Sequence, residues 1–338
     1  MKSYEFPPFI TEISKNLFSG CNSLTTVDIP DSVTIIEEEA FQLCHSLQHV
    51  TISTHVTKIG KKAFFCCYSL DQVIIPLSVN EIAEGTFEQC KNLKQITIPN
   101  SVTRIGKSAF NYCELLMEVN IPSSVTEIAE STFEQCKNLK QITIPNSVTK
   151  IGKSAFNYCE LLMEVNIPSS VTEIAESTFE QCKNLKQITI PNSVTKIGKS
   201  AFNYCELLME VNIPSSVNEI AEGTFEQCKN LKQITIPNSV TRIGKSAFNY
   251  CELLMEVNIP SSVTEIAGYT FQSCLSLKHI EIPSSVKSIG NNAFNECSRL
   301  ESIIIPNSVV SFGKEVFRRC SNLKKLPIPS SSTKVLKT

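Results

Sequence analysis

Cysteine recurs every 23 residues along almost the whole chain. Cys21, Cys44, Cys67, Cys90, Cys113, Cys136, Cys159, Cys182, Cys205, Cys228, Cys251, Cys274, Cys297 and Cys320 fall at one period without an insertion, and only Cys66 is off the ladder. Phe keeps the same period from Phe18 to Phe317. A fixed period of this length predicts a solenoid, in which each repeat is one coil and buries its apolar side against the next. At 338 residues the length alone would suggest two or three globular domains. The repeat overrides that prior, because a solenoid grows by adding coils to one core.

The apolar columns of the first full coil are Leu24, Val27, Ile29, Val33, Ile36, Ala40, Phe41 and Cys44. The Val27-x-Ile29 alternation predicts a short strand with its apolar face inward. Strands repeated at this period must be parallel and stacked about 4.8 Å apart. Pro30, Pro76, Pro99 and Pro122 end these strands where a missing N–H does least harm. The Ser residues after them (Ser32, Ser78, Ser101, Ser124) are placed to bond turn backbone between coils. Ser-Val-Thr-x-Ile at 101–105 predicts a second extended piece. Gly106-Lys107-Ser108-Ala109-Phe110 predicts one short helical or 3₁₀ turn, with Phe110 plugging the core.

Along the chain, residues 1–20 form a degenerate capping coil, and the extra aromatics Tyr4 and Phe6 are expected to fold over the open end of the core. The solenoid is expected to run unbroken over 21–329, giving about fourteen coils, with a short Ser/Lys-rich tail at 330–338. Between 81 and 264 the repeat doubles into four near-identical 46-residue copies, differing at the columns led by Gly85, Arg104 and Thr126.

One Cys per coil points the same way each time, so the column is expected to be small buried hydrophobes rather than disulfides or metal ligands. Charges alternate along the stack. One column reads Glu81, Arg104, Glu127, Lys150, a second Glu84, Lys107, Glu130, Lys153, and a third Lys91, Glu114, Lys137, Glu160. Such pairs contribute little energy when exposed, but they set register, because a slip of one coil would bring like charges together.

The consensus Ile-Pro-x-Ser-Val-Thr-x-Ile-Gly-x-x-Ala-Phe-x-x-Cys-x-x-Leu-x-x-Val/Ile-x-Ile, as it stands from Ile98 to Ile121, resembles the BspA-type (Treponema pallidum-type) leucine-rich repeat. The resemblance covers nearly the whole chain. It implies a leucine-rich repeat solenoid with a parallel β-sheet on its concave side. It also implies binding of a protein or extracellular-matrix ligand, adhesion, or the role of a surface antigen, in bacteria or anaerobic protists. The Asn of the common leucine-rich repeat is replaced here by Ser101 and Ser124.

If the main strands line the concave face, its solvent positions in the doubled region are Lys94, Gln95 and Thr97, then Met117, Glu118 and Asn120. They recur as Lys140, Gln141, Thr143, Met163, Glu164 and Asn166, then as Lys186, Met209, Glu210, Lys232, Met255 and Glu256. These are the candidate binding residues. An outward Met has no core to serve there, and it either covers flanking Lys stems or forms part of a ligand track. The irregular coils put Asp28, His49, Gln72 and Ile74 on the same face. Residues 1–80 carry a balance of −3 and 307–338 one of +6, so head-to-tail self-association is the rival expectation.

Enzymatic chemistry finds no support. His45, His49 and His55 with Cys44 lack a fixed fourth ligand, and Gly106-Lys107 is a coil corner rather than a phosphate loop. No cofactor, metal or catalytic residue is expected. A net charge of −2 argues against nucleic acid. No run approaches the length of a membrane span and no secretory signal is read at Met1–Ile10, so a cytoplasmic location is the expectation from sequence and the cell surface the expectation from family resemblance.

Overall fold

The computed structural model describes residues 3–324. Two compact units divide the chain, Met1–Val171 and Thr172–Thr338. The expected tail at 330–338 lies outside the described residues.

In the first unit, seven short strands make one parallel sheet in chain order: Ser3–Tyr4, Thr26–Asp28, His49–Thr51, Gln72–Ile74, Gln95–Thr97, Glu118–Asn120 and Gln141–Thr143. Every pairing joins residues 23 apart, as in Val27 with Val50 and Val119 with Ile142. The two-residue extended pieces form a second set of parallel pairs, such as Arg104 with Glu81 and Glu127 with Lys150. The second unit repeats the scheme. Glu210–Asn212, Gln233–Thr235 and Glu256–Val257 form one main sheet, and His279–Glu281 with Ser302–Ile304 another.

Each column of the sequence is a physical stripe. Phe41, Phe64, Phe87, Phe110, Phe133 and Phe156 are fully buried in the first unit, and their rings, led by Phe18, stack 5.1–5.7 Å apart within 6° of parallel. In the second unit the rings from Phe179 to Phe317 stack at 5.5–5.7 Å. Tyr4 and Phe6 close the first coil, meeting the Phe18 ring edge-on at 4.8 and 5.7 Å. The Cys column is buried and its thiols are free, except that Cys21 is exposed. Cys21 departs from the expectation at the junction with the degenerate coil 1–20.

The segment 106–110 is not helical, and no helix occurs among the described residues. A helix would spend every amide inside the coil, whereas here amides alternate. Ala109, Asn111 and Cys113 donate to Gly106, Ser108 and Phe110 at 3.1–3.2 Å, while Ser108, Phe110 and Tyr112 donate to Glu130, Thr132 and Glu134 of the next coil at 2.8–3.0 Å. Ser108 and Tyr112 take left-handed backbone (φ 54° and 58°) to turn their amides outward along the stack. The corner is therefore a ladder of turns that binds coil to coil on a third side.

Ser78, Ser101 and Ser124 donate to Val56, Val79 and Val102 of the preceding coil at 2.5–2.7 Å, as the sequence predicts. Ser32 does not, and its buried hydroxyl oxygen has no partner. Its preceding coil is the irregular first one.

Candidate binding face

Backbone pairing fixes which side chains stand side by side on the main sheet. Met117 donates its amide to Lys94 O and Lys140 donates to Met117 O, so Lys and Met alternate along one row in the first unit. Met209, Lys232 and Met255 follow Lys186 in the same way in the second. The next row alternates Gln and Glu, with Glu118 between Gln95 and Gln141, and Gln233 between Glu210 and Glu256. The third alternates Thr and Asn, as in Asn120 beside Thr143 and Asn212 beside Thr235.

All seventeen predicted residues are exposed: Lys94, Gln95, Thr97, Met117, Glu118, Asn120, Lys140, Gln141, Met163, Glu164, Asn166, Lys186, Met209, Glu210, Lys232, Met255 and Glu256. The face is locally hollowed. A depression of about 500 Å³ opens over Gln95, Glu118, Asn120 and Gln141 in the first unit. A second of about 440 Å³ opens over Gln187, Glu210, Asn212 and Gln233 in the second unit. The sequence did not single out Leu115, Leu161 and Leu253, which are also exposed and lie two positions before the Met residues. The Leu-Leu-Met triplet was the available signal, since only its middle residue is buried.

Charges elsewhere on the coils pair across neighbours. On the second extended segment, Arg104 reaches Glu81 at 3.5 Å, Lys150 reaches Glu127 at 2.7 Å, Lys196 reaches Glu173 at 2.7 Å and Arg242 reaches Glu219 at 3.1 Å. At the corner, Lys61 meets Glu84, Lys107 meets Glu130 and Lys199 meets Glu222 at 3.0–3.2 Å. Glu114 holds both Lys91 and Lys137 at 3.5 and 3.4 Å. The Glu130 carboxylate beside Lys107 holds that ammonium above its ordinary pKa, by hydrogen bonding first and charge second.

On the main face the charges behave differently. Lys94, Lys140, Lys186 and Lys232, with Glu118, Glu164, Glu210 and Glu256, make no side-chain hydrogen bond or ion pair among the described residues. Their charge is balanced in number but not in contact.

The histidines are not brought together. His45 stacks on Tyr68 at 4.6 Å, His49 lies 3.2 Å from Asp71, His55 lies 3.6 Å from Asp31, and His279 bonds Ser302 at 2.8 Å. Among the described residues no three His, Cys, Asp or Glu side chains are placed to hold a metal ion.

A stack of 23-residue coils, with parallel strands, a Phe core and Cys at each corner, defines a leucine-rich repeat solenoid. The model of the BspA type leucine rich repeat region matches residues 1–116, 104–232 and 218–338, and the chain belongs to that family. A leucine-rich repeat protein from Bacteroides ovatus is 28% identical, with a TM-score of 0.75 over 95% of this chain and 85% of that one. A leucine rich cell surface protein from Faecalibacterium prausnitzii is 29% identical, with a TM-score of 0.60 over 99% and 90%. A leucine-rich repeat protein from Eubacterium ventriosum shares the fold at 22% identity, with a TM-score of 0.52 over 97% and 84%. No curated protein matches the chain.

Proposed function

We propose that this chain is a non-enzymatic scaffold that binds a protein ligand along the outward face of its main strands. One observation carries this. Lys and Glu side chains on the second extended segment and at the corners neutralise one another across coils, whereas those on the main face have no partner among the described residues. Exposed charges of both signs, set in rows with Met, Gln, Thr and Asn over shallow hollows, offer directed polar contacts and adaptable apolar ones together. Extended solenoid faces commonly take extended partners, and identical sites repeated along the stack favour a repetitive ligand through avidity.

A surface or adhesive role is the natural setting for such a scaffold, in keeping with the cell-surface designation of the Faecalibacterium relative. Heterotypic binding is preferred to head-to-tail stacking because Tyr4 and Phe6 already cover the Phe18 ring at the first coil.

The test is binding of purified chain to immobilised extracellular-matrix proteins and to cell lysate, with its mass in solution measured alongside. Replacing Lys94, Met117 and Glu118 together with their repeats should abolish saturable binding. Filaments that form with concentration and without any partner would instead favour self-assembly.

A further inference from the structure

Two places on the main faces, one in each unit, depart from the tandem pattern in the same way. In the first unit the strand His49–Thr51 is followed one coil on by Gln72–Ile74. In the second, His279–Glu281 is followed by Ser302–Ile304. Each pair sets a His at the first strand position and an Ile, 25 residues later, at the outward third position of the neighbouring strand. Tandem coils carry Thr97 or Asn120 there. Ile74 is 77% and Ile304 60% exposed.

Each imidazole faces a polar group of the next coil: His279 Nδ1 is hydrogen-bonded to Ser302 Oγ at 2.8 Å, and His49 Nδ1 lies 3.2 Å from Asp71 Oδ1, a buried oxygen with no hydrogen-bond partner. Carboxylates stand in the same outward rows: Asp28 in the first patch, Glu256 and Glu281 in the second. None of these three has a side-chain partner among the described residues.

In the second unit these groups line a hollow of about 490 Å³. The sheet loosens beneath it. The strand shortens to Glu256–Val257 and does not pair with His279–Glu281, and Val257 is half-buried where Val119, Val165 and Val211 are buried. The hollow over 187–235 carries one carboxylate, Glu210, and no outward Ile. Two carboxylates and no Lys or Arg line the hollow beside Ile304, and Lys232 and Lys278 stand one row away.

A branched side chain held in water adds nothing to the core, and carboxylates without a counter-charge attract cations. We infer that these two His–Ile patches set the specificity of the binding face, and that each docks a protein segment carrying an aliphatic residue next to a basic one. The aliphatic group covers Ile74 or Ile304, and the cation reaches Asp28 in the first patch or Glu256 and Glu281 in the second. The inference rests on the protein-binding function proposed above.

The probe is a labelled ten-residue peptide of Arg-Leu pairs spaced by Gly, titrated into the full chain by fluorescence anisotropy. Combining H49Q, I74N, H279Q, E281T and I304N restores residue types of the tandem rows at exposed positions. An unchanged thermal melt confirms that this variant folds. It should bind the peptide about tenfold more weakly or worse, whereas E127Q with E265Q, exposed carboxylates on the second extended segment away from this face, should cost less than about twofold. Equal losses from both sets would reduce the effect to diffuse charge attraction and overturn the inference. So would absence of binding, or equal binding of a peptide with Glu in place of Arg. If partner capture still depends on Lys94, Met117 and Glu118 while the patch variant binds normally, the scaffold function stands and the patches lose their assigned role.

Discussion

The thiol of Cys113 donates to the carbonyl oxygen of Phe87 in the preceding coil, 3.2 Å away. That carbonyl already accepts the amide of Cys90 at 3.0 Å, so the thiol takes its second lone pair. The same contact recurs from Cys90 to Phe64, from Cys136 to Phe110 and from Cys228 to Phe202 at 3.2–3.3 Å. Cys fits the column because it is small, apolar enough to be buried and still a weak donor. The period alone predicted burial, but the carbonyl it serves lies 26 residues back and only the stacked coils reveal it.

Alkaline pH should therefore unfold the chain progressively. Burial pushes the Cys44 thiol up to about 12, and it raises Cys67, Cys90 and Cys113 well above the ordinary range. Unfolded thiols ionise near pH 8.5, so the unfolded chain loses protons first as pH rises. Stability is complete below that value and falls until the folded thiols also ionise, by about 1.4 kcal/mol per pH unit for each thiol. Melting temperatures at pH 7, 9, 10 and 11 should drop steeply after the second point. A flat profile would show that the thiols do not govern this range. At pH 8, iodoacetamide followed by mass spectrometry should label exposed Cys21 long before Cys44 or Cys113.

Phe110 is fully buried, with Phe87 and Phe133 stacked 5.7 and 5.5 Å from it. Phe110→Ala should cost about 3–5 kcal/mol, and Phe110→Leu less than half of that, because Leu refills most of the volume. Since a coil contacts mainly its neighbours, hydrogen exchange should accelerate most between residues 81 and 140. Uniform acceleration across the whole first unit would mean that its coils unfold as one cooperative block.

Much of this architecture was legible because one period served every column. Val119 and Val27 turn inward, Met117 and Glu118 outward, and Tyr4 with Phe6 over Phe18, as alternation and the lost neighbour require. The corner was misread because Gly106-Lys107-Ser108-Ala109-Phe110 contains nothing that forbids a helix, and Ser108 and Tyr112 are not residue types that announce left-handed backbone. A signal was present. The column holding Ser108 also holds Gly85, Ser131, Ser177 and Gly223, and every one has positive φ. Exchange of Gly for Ser between otherwise near-identical copies marks a position where backbone conformation matters more than the side chain. The lack of partners for Lys94 and Glu118 had a signal too: their rows alternate a charge with an uncharged residue, Lys with Met and Glu with Gln, whereas the column of Glu81 and Arg104 alternates sign and pairs.

Ser131 then offers a test of that corner. Its φ of 54° strains a residue with a Cβ, and its counterparts Gly85 and Gly223 relieve the strain at φ 62°. Ser131→Gly should be neutral or stabilising by up to about 1 kcal/mol, and Ser131→Val destabilising by about 1–3 kcal/mol, since a β-branched residue tolerates this region worst. Gly106→Ala should also destabilise, because its Cβ would lie 2.6 Å from the backbone nitrogen of Glu84 in the preceding coil. Chemical denaturation of the three variants gives the order. A Val variant as stable as the parent would place the left-handed turn in doubt.

The binding face should be separable from stability altogether. Lys94, Met117 and Glu118 are exposed and the two charges have no side-chain partner among the described residues, so changing them with their repeats should move stability by no more than about 0.5 kcal/mol per site. Glu114, which holds Lys91 and Lys137 on either side, should behave in the opposite way. Glu114→Lys brings three cations together in one column, lowers the melting temperature, and should leave ligand capture by the main face intact at temperatures where the chain is folded. Added salt should narrow the gap between Glu114→Lys and the parent by screening that repulsion. A face variant that unfolds, or a Glu114→Lys chain that folds normally but no longer captures ligand, would mean that the rows of the main sheet do not act as the separate contact surface assigned to them.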